Sequence, residues 1–360
     1  MNLRVNNVCS RMEKAGLTQL LITDPWSIYY LTGKMFQPGE RFLGLLLKTG
    51  GDHRILINHL FPAPEELGAQ KVWFSDTDDC MAVAAEYIDP SETLGIDKMM
   101  PARFLLALME RKAAAGYRNG SFCVDDTRGC KEPEEQEKML RASALNDQAM
   151  ALFRALVRPG LTEAAAARRV REIYLELGAE GVSFTPIVSF GANAADPHHE
   201  PDDTVLKEGD CVLFDVGCRL EGYCSDMTRT FFYRRVSPEQ RLVYNTVLKA
   251  NLAAEARIAP GVRFCDLDAA ARNPITEAGY GPYFTHRLGH SIGLEVHEPG
   301  DVSAVNTDTA QPGRIFSCEP GIYLPGRFGV RIEDLCMVTA DGVTVLNRYP
   351  KELDIIDPMA

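Results

Sequence analysis

The sequence predicts an α/β protein of two domains, the second built as a doubled unit, and three observations carry that reading. Residues 211–232 (CVLFDVGCRLEGYCSDMTRTFF) form two short apolar runs around Leu220-Glu221-Gly222, a hairpin pattern, with one acid on each run, Asp215 and Asp226. The design recurs in IFSCEPGIYLPGRFGVRIEDLCMV, where Glu319 and Glu333 lie on two apolar runs joined by Pro325-Gly326. Landmarks also repeat at a near-constant offset. Asp215 to Glu319 is 104 residues, Asp226 to Glu333 is 107, Pro159-Gly160-Leu161 to Pro260-Gly261-Val262 is 101, and Pro133-Glu134 to Pro238-Glu239 is 105. Such self-similarity marks an internal duplication. Each unit reads helix, Pro-Gly turn, helix, then strands ending in a two-acid hairpin. Two such halves folded face to face would gather the four acids about a pseudo-twofold axis.

A chain of 360 residues with 46% apolar content exceeds one ordinary domain. The boundary is expected between 1–130 and 131–360, because TRGCKEPEEQE at 127–137 is charged, contains Gly129 and places Pro133 with two acids at a helix start. In the first domain, residues 5–15 have apolar positions at helical spacing and Gly16 stops them; 19–23 is a short strand entering an Asp24-Pro25 turn. Residues 43–47, 54–58 and 71–74 follow as strands and 102–115 as a helix, with His53 and His59 in structural roles. In the second domain, helices are expected over 134–157 and 162–177, the latter capped by Thr162. After Gly181 a strand ends in a loop carrying His198 and His199, the second read as a solvated loop residue. Ser237-Pro238-Glu239 opens the next long helix, and 263–278 gives the one after it.

A net charge of −12 argues against nucleic-acid or anionic-membrane partners, which leaves small molecules or other subunits. The N-terminal residues are charged and lack an apolar stretch of signal-peptide type, so a cytoplasmic protein is expected. The ten cysteines include no C-x-x-C pair and read as small buried hydrophobes, neither a disulfide framework nor a zinc site.

An ionised carboxylate in an apolar strand needs a partner. Five of the seven histidines lie between 198 and 297, and FTHRLGHSIGLEVHE holds His286, His290 and His297. Gly289 and Gly293 disfavour a helix there, so strand or loop is expected and only one imidazole need be a ligand. The set Asp215, Asp226, His290, Glu319 and Glu333 is rich in oxygen and free of thiolate, which suits Mn²⁺ best, with Co²⁺, Fe²⁺ or Zn²⁺ as alternatives. Four carboxylates carry more charge than one divalent ion neutralises, whereas two ions about 3.5–4 Å apart balance them and acidify a water. The ordinary alternative is four acids salt-bridged to Arg229 and Arg331.

These residues resemble a family. PHHEP at 197–201, FDVG with YCSDMTRT, HRLGHSIGLEVHEP, EPGIYLPG and GVRIED look like the proline-specific metallopeptidases of the creatinase, or pita-bread, fold: the Xaa-Pro dipeptidases (prolidases) and Xaa-Pro aminopeptidases. LLITDPWSIYYLTG at 20–33 resembles the start of that family's N-terminal domain, so the likeness spans about the whole chain. It implies a creatinase-like α/β domain followed by a pita-bread domain. It implies that Asp215 binds one metal, that Asp226 and Glu333 bridge both, and that His290 and Glu319 hold the other. Glu319 would be the general base. His297 would contact the scissile carbonyl and His198 the proline side, with His286 and Arg331 near the proline end or its carboxylate. Thr228 could orient Asp226. The substrate would be a small peptide with proline second, and the assembly a homodimer.

Creatinase-like amidine hydrolysis and an inactive binding subunit of this fold are the competing readings; retention of all five ligands speaks against both. Methionine aminopeptidases usually lack a first domain like this one. Some prolidases place an arginine shortly after the last His-Glu, where this chain has Pro299-Gly300-Asp301. The dipeptidase is nevertheless favoured over the aminopeptidase.

Overall fold

Leu20, Leu21 and Ile22 are fully buried because the strand they form, Gln19–Ile22, lies inside a six-stranded sheet. The computed structural model describes residues 3–358, in two compact units, one ending at Arg128 and one beginning at Gly129. In the first unit the sheet order is Gln70–Phe74, Arg54–Asn58, Gly44–Lys48, Gln19–Ile22, Thr93–Ile96, Gly116–Asn119. Its helix Leu3–Lys14 buries Val5, Val8 and Met12, the stripe that the helical spacing predicted.

The helix Cys80–Ala85 and the strands Thr93–Ile96 and Gly116–Asn119 have no counterpart in the sequence reading, and other stretches of this unit depart from it. Asp24-Pro25 opens a helix, Pro25–Thr32, whose N-cap Asp24 accepts the amides of Trp26 and Ser27. Its eight residues, with Ile28, Tyr30 and Leu31 buried, are too few for a clear period. The helix expected over 102–115 ends at Glu110, because Lys112 takes a left-handed φ of 52° and the chain turns back. The charged stretch near 128 belongs in part to a further helix, Phe122–Gly129.

The second unit is doubled. Helices Pro133–Leu156 and Glu163–Glu176 pack Phe153, Val170 and Tyr174 against Phe214 and Phe231 of a four-stranded sheet. That sheet runs Ile355–Ile356, Met227–Tyr233, Cys211–Val216, Ile187–Phe190. Helices Pro238–Glu255 and Phe264–Glu277 pack Val247, Leu267 and Ala271 against Phe316 and Cys336 of a five-stranded sheet. Its order is Glu298–Val302, Gly289–Ser291, Ile315–Cys318, Asp334–Val338, Val343–Val345. Equivalent isolated bridges, Thr162 with Val205 and Arg263 with Thr309, tie each second helix to its half.

Both acid-bearing hairpins are present, and each ladder breaks beside its acids. Strands Cys211–Val216 and Met227–Tyr233 pair with Asp215 opposite Thr228, after which Gly217 and Ser225-Asp226 interrupt the ladder. A Cβ on Gly217 would lie 2.0 Å from the Ser225 carbonyl oxygen, so only glycine allows the crossing. The ladder resumes with Cys218–Leu220 and Tyr223–Cys224 around the expected turn, left-handed at Glu221 and Gly222 (φ 50° and 80°). In the second hairpin, Ile315–Cys318 pairs with Asp334–Val338 and Gly321–Leu324 with Phe328–Arg331, and the gap between the two ladders holds Glu319 and Glu333. The ten cysteines are free and mostly buried. Among the described residues no helix is long and apolar enough to cross a membrane.

Candidate metal centre

The two hairpins are stitched together at their breaks. The Glu333 amide donates to the Thr228 carbonyl at 3.1 Å, which sets the Glu333 strand beside the Asp226 strand. The Glu319 amide donates to the Leu288 carbonyl at 2.9 Å, which brings in the segment carrying His290. His290 lies on the strand Gly289–Ser291, and a Cβ on Gly289 would fall 1.9 Å from the Ser317 carbonyl oxygen, so glycine is what lets that strand sit so close. Asp215, Asp226, His290, Glu319 and Glu333 all line one cavity of about 750 Å³. His198, His199, His286, His297 and Arg331 line it too, beside an apolar wall that includes Phe184, Ile187 and Val296.

The ligand atoms at the floor face one another. His290 Nδ1 is 3.2 Å from the Ser291 carbonyl, which can only accept, so Nδ1 carries the proton and Nε2 keeps its lone pair. That lone pair lies 3.4 Å from Glu319 Oε1 and 3.8 Å from Asp226 Oδ2. Burial, with a smaller effect of His297, holds the His290 pKa down at about 3, so the ring is neutral near pH 7. Asp226 is 3% exposed, and its Oδ1 is buried without a hydrogen-bond partner.

Burial and then the charges of Asp215 and Glu319 push Asp226 well above the carboxylate range. Burial and then Asp226, Glu319 and Asp215 do the same to Glu333. Burial raises Glu319 to about 7, against the opposing pull of Arg331. Asp226, His290 and Glu333 each offer a ligand atom, and these atoms lie within 4.8 Å of one another. An orphaned buried oxygen, an imidazole lone pair and mutually repelling acids in one cavity fit a divalent cation bound by oxygen and nitrogen.

Surrounding residues fix these groups. The Ser317 hydroxyl accepts the His290 amide at 2.9 Å and donates to Glu319 Oε1 at 3.0 Å. The Thr228 hydroxyl donates to Glu333 Oε2 at 2.6 Å and accepts from Arg331 Nε at 3.2 Å. Thr228 therefore orients Glu333 instead of Asp226, because it stands opposite Asp215 in the ladder and beside the second hairpin.

The salt-bridge alternative fails for three of the four acids. Arg331 pairs with Asp215 at 2.5 Å, whereas Arg229 is committed to Asp334 at 2.7 Å and to backbone carbonyls, including that of Glu333. Arg331 is also bound to the Tyr323 hydroxyl at 2.8 Å, and that hydroxyl lies 2.8 Å from His286 Nε2. His286 Nδ1 is 2.7 Å from the Arg287 carbonyl, so both ring nitrogens are engaged; burial and Arg331 lower its pKa to about 4. Arg331 and His286 thus reach the cavity with their polar atoms already in use.

His297 is exposed at the cavity, its ring 4.3 Å from that of His290 and edge-on, and burial with Arg287 draws its pKa down. His198, exposed on the loop that follows the strand Ile187–Phe190, lines the same cavity. His199 is not a solvated loop residue: its Nε2 lies 2.7 Å from the buried Glu163 carboxylate. Sequence reasoning passed over Tyr323, Ser317, Glu163 and Arg287. Tyr323 and Ser317 stand within motifs already noted, but nothing in their spacing marks a polar role. Arg287 sits next to His286 as an exposed cation in the cavity lining, without an ion-pair partner among the described residues.

Residues 137–340 match the model of metallopeptidase family M24, and residues 4–130 match that of the creatinase/prolidase N-terminal domain. The structure of dipeptidase PepE from Mycobacterium ulcerans is similar, with a TM-score of 0.92 and 35% identity over 98% of this chain and 96% of that one. The Xaa-Pro dipeptidase from Bacillus anthracis has a TM-score of 0.89 and 29% identity, covering 98% of this chain and 99% of that one. An uncharacterized peptidase of Staphylococcus aureus strain USA300 is 34% identical over 358 residues, 97% of this chain and 99% of its own.

Proposed function

The chain belongs to metallopeptidase family M24, a creatinase/prolidase N-terminal domain preceding a pita-bread catalytic domain, and from that premise we propose that it is a dipeptidase cleaving Xaa-Pro bonds. The observation that carries the reading is the buried set Asp226, His290 and Glu333, with the Asp226 Oδ1 unsatisfied, at the floor of a cavity large enough for a small peptide. Asp215, Asp226, His290, Glu319 and Glu333 would hold two divalent ions, Mn²⁺ by the hardness of the donors, and these would polarise the scissile carbonyl and acidify a water.

The rest falls to the chain's own side chains. Glu319, in the cavity lining and held by the Ser317 hydroxyl, would carry a proton from water to the leaving nitrogen, which has no hydrogen in an Xaa-Pro bond. His297 and His198 are exposed in the lining, and in this reading His297 would donate to the carbonyl oxygen and His198 would meet the proline side. Arg331 supports Asp215 electrostatically and keeps Tyr323 and His286 in line, in place of the substrate contact the sequence suggested. Arg287 is the cation free to receive the carboxylate of a dipeptide.

The names of the similar structures support dipeptide substrates, and so does the free cation. Ala-Pro and Leu-Pro are expected to be cleaved with a higher kcat/KM than Ala-Pro-Ala. Arg287→Ala should lower kcat/KM for the dipeptides by about 10- to 100-fold, mostly through KM, as loss of a charged hydrogen bond requires. A clear preference for the tripeptide in steady-state assays would make the protein an Xaa-Pro aminopeptidase instead.

A further inference from the structure

A second buried acid stands at the edge of the cavity, outside the carboxylate floor. Glu163, fully buried, is the first residue of the helix Glu163–Glu176. Its carboxylate accepts donors from both ends and the middle of the loop that follows the strand Ile187–Phe190. Oε1 accepts the Phe190 amide at 2.6 Å, and both oxygens accept Asn193 Nδ2, at 3.1 and 3.2 Å. Oε2 is 2.7 Å from His199 Nε2 and accepts the Asp202 amide at 3.3 Å. The helix start grips the far end of the loop as well, through the Ala164 amide on the Asp202 carbonyl at 2.8 Å and the Glu163 amide on the Thr204 carbonyl at 3.2 Å.

Glu163, His199 and Asp202 are close enough to suggest a cation site. The hydrogen bonds decide against it. Both Glu163 oxygens already receive N–H donors, and Asp202 Oδ1 accepts the Thr204 amide at 2.7 Å, so no ligand atom is left wanting. A buried carboxylate holding four separate donors is instead a knot in an otherwise irregular loop, and the residue next to the knot is His198, which lines the cavity.

We propose that Glu163 is a positioning residue, whose carboxylate fixes the 190–204 loop so that His198 is held at the cavity wall facing the peptide. The inference rests on the peptidase reading above for its catalytic consequence, and on the hydrogen-bond set alone for the loop. Without the knot, His198 would have to be ordered anew in each catalytic cycle, which lowers the fraction of productive complexes.

The test compares wild type, Glu163→Gln, His198→Ala and the double variant on Ala-Pro, with amide hydrogen exchange of residues 190–204 measured alongside. Glu163→Gln turns an N–H₂ group toward N–H donors and is expected to lower kcat about 10- to 100-fold with little change in KM. In the His198→Ala background the same change should have less than about a twofold effect, since the two residues act in series. The Asp202 amide, in an exposed residue, should exchange slowly in wild type and at least about tenfold faster in Glu163→Gln. Fast exchange of that amide in wild type, or effects of Glu163→Gln and His198→Ala that simply multiply, overturn the proposal. Should Glu163→Gln not fold, His199→Ala removes a single donor, and unaltered exchange at Asp202 together with unaltered kcat overturns it equally. Absence of Xaa-Pro hydrolysis by wild type would count against the dipeptidase reading alone, because the exchange measurements still decide whether Glu163 holds the loop.

Discussion

Asp226→Asn and Glu333→Gln are each expected to reduce Xaa-Pro hydrolysis at least about 1000-fold, to remove both bound ions, and yet to raise the Tm of the metal-free protein. The last effect separates this account from general damage to the fold. In the metal-free state Asp226 keeps a buried oxygen without a partner, and desolvation and the neighbouring acids oppose its ionisation. Glu333 suffers burial first and then the repulsion of Asp226, Glu319 and Asp215. A neutral amide of the same shape removes that repulsion, so stability should rise while metal binding is lost. Metal analysis with calorimetry of the stripped proteins checks both halves. A variant that retains one ion would contradict the bridging role of its residue, and a fall in metal-free Tm would contradict the picture of mutually destabilising acids.

The second large effect is an inversion of pH dependence by metal. Glu319 has a folded pKa of about 7 against an ordinary 4.5, so the stability it contributes is complete below 4.5 and is lost as pH rises through 7. Asp226 and Glu333 are shifted in the same direction and add to that loss as pH rises. His290 and His286, lowered to about 3 and 4, act oppositely, but only below their ordinary 6.5; above it both are neutral whether folded or unfolded. Between pH 6.5 and 8.5 the carboxylates therefore act without opposition from these histidines, and the Tm of stripped protein should fall by several degrees. Bound divalent ions reverse the sign, since protons no longer compete for the ligands and the stabilisation by metal grows with pH. A metal-free Tm that is flat or rising across this window would refute the assignment of these acids as mutually repelling.

Much of the site was legible because its chemistry conflicts with its surroundings. Asp215, Asp226, Glu319 and Glu333 stand out as charges within apolar strands, and the repeat offset ties the two hairpins together before any contact is known. The helices Glu163–Glu176 and Pro238–Glu255 were equally plain, since Thr162 and Ser237 announce their starts. What escaped was information carried by register and by contacts distant in sequence. Nothing local says that Thr228 faces Glu333, because the partner lies 105 residues away and the side depends on how the two breaks align. Arg331 stands two residues before Glu333, so the chain alone keeps it near the acids. Its commitment to Asp215 and Tyr323, however, follows from the ribbon Gly321–Leu324 with Phe328–Arg331. His199 and Glu163 illustrate the same limit: 36 residues separate them, and only the fold buries the acid that the histidine meets.

The most direct test of the central claim is the release of proline from Ala-Pro by one preparation of the protein, first stripped with chelator and then titrated with Mn²⁺. The account predicts no release when stripped, recovery that saturates at about two ions per chain, and no such recovery in Asp226→Asn. Undiminished release by the stripped protein, or none at any Mn²⁺ loading, would contradict it.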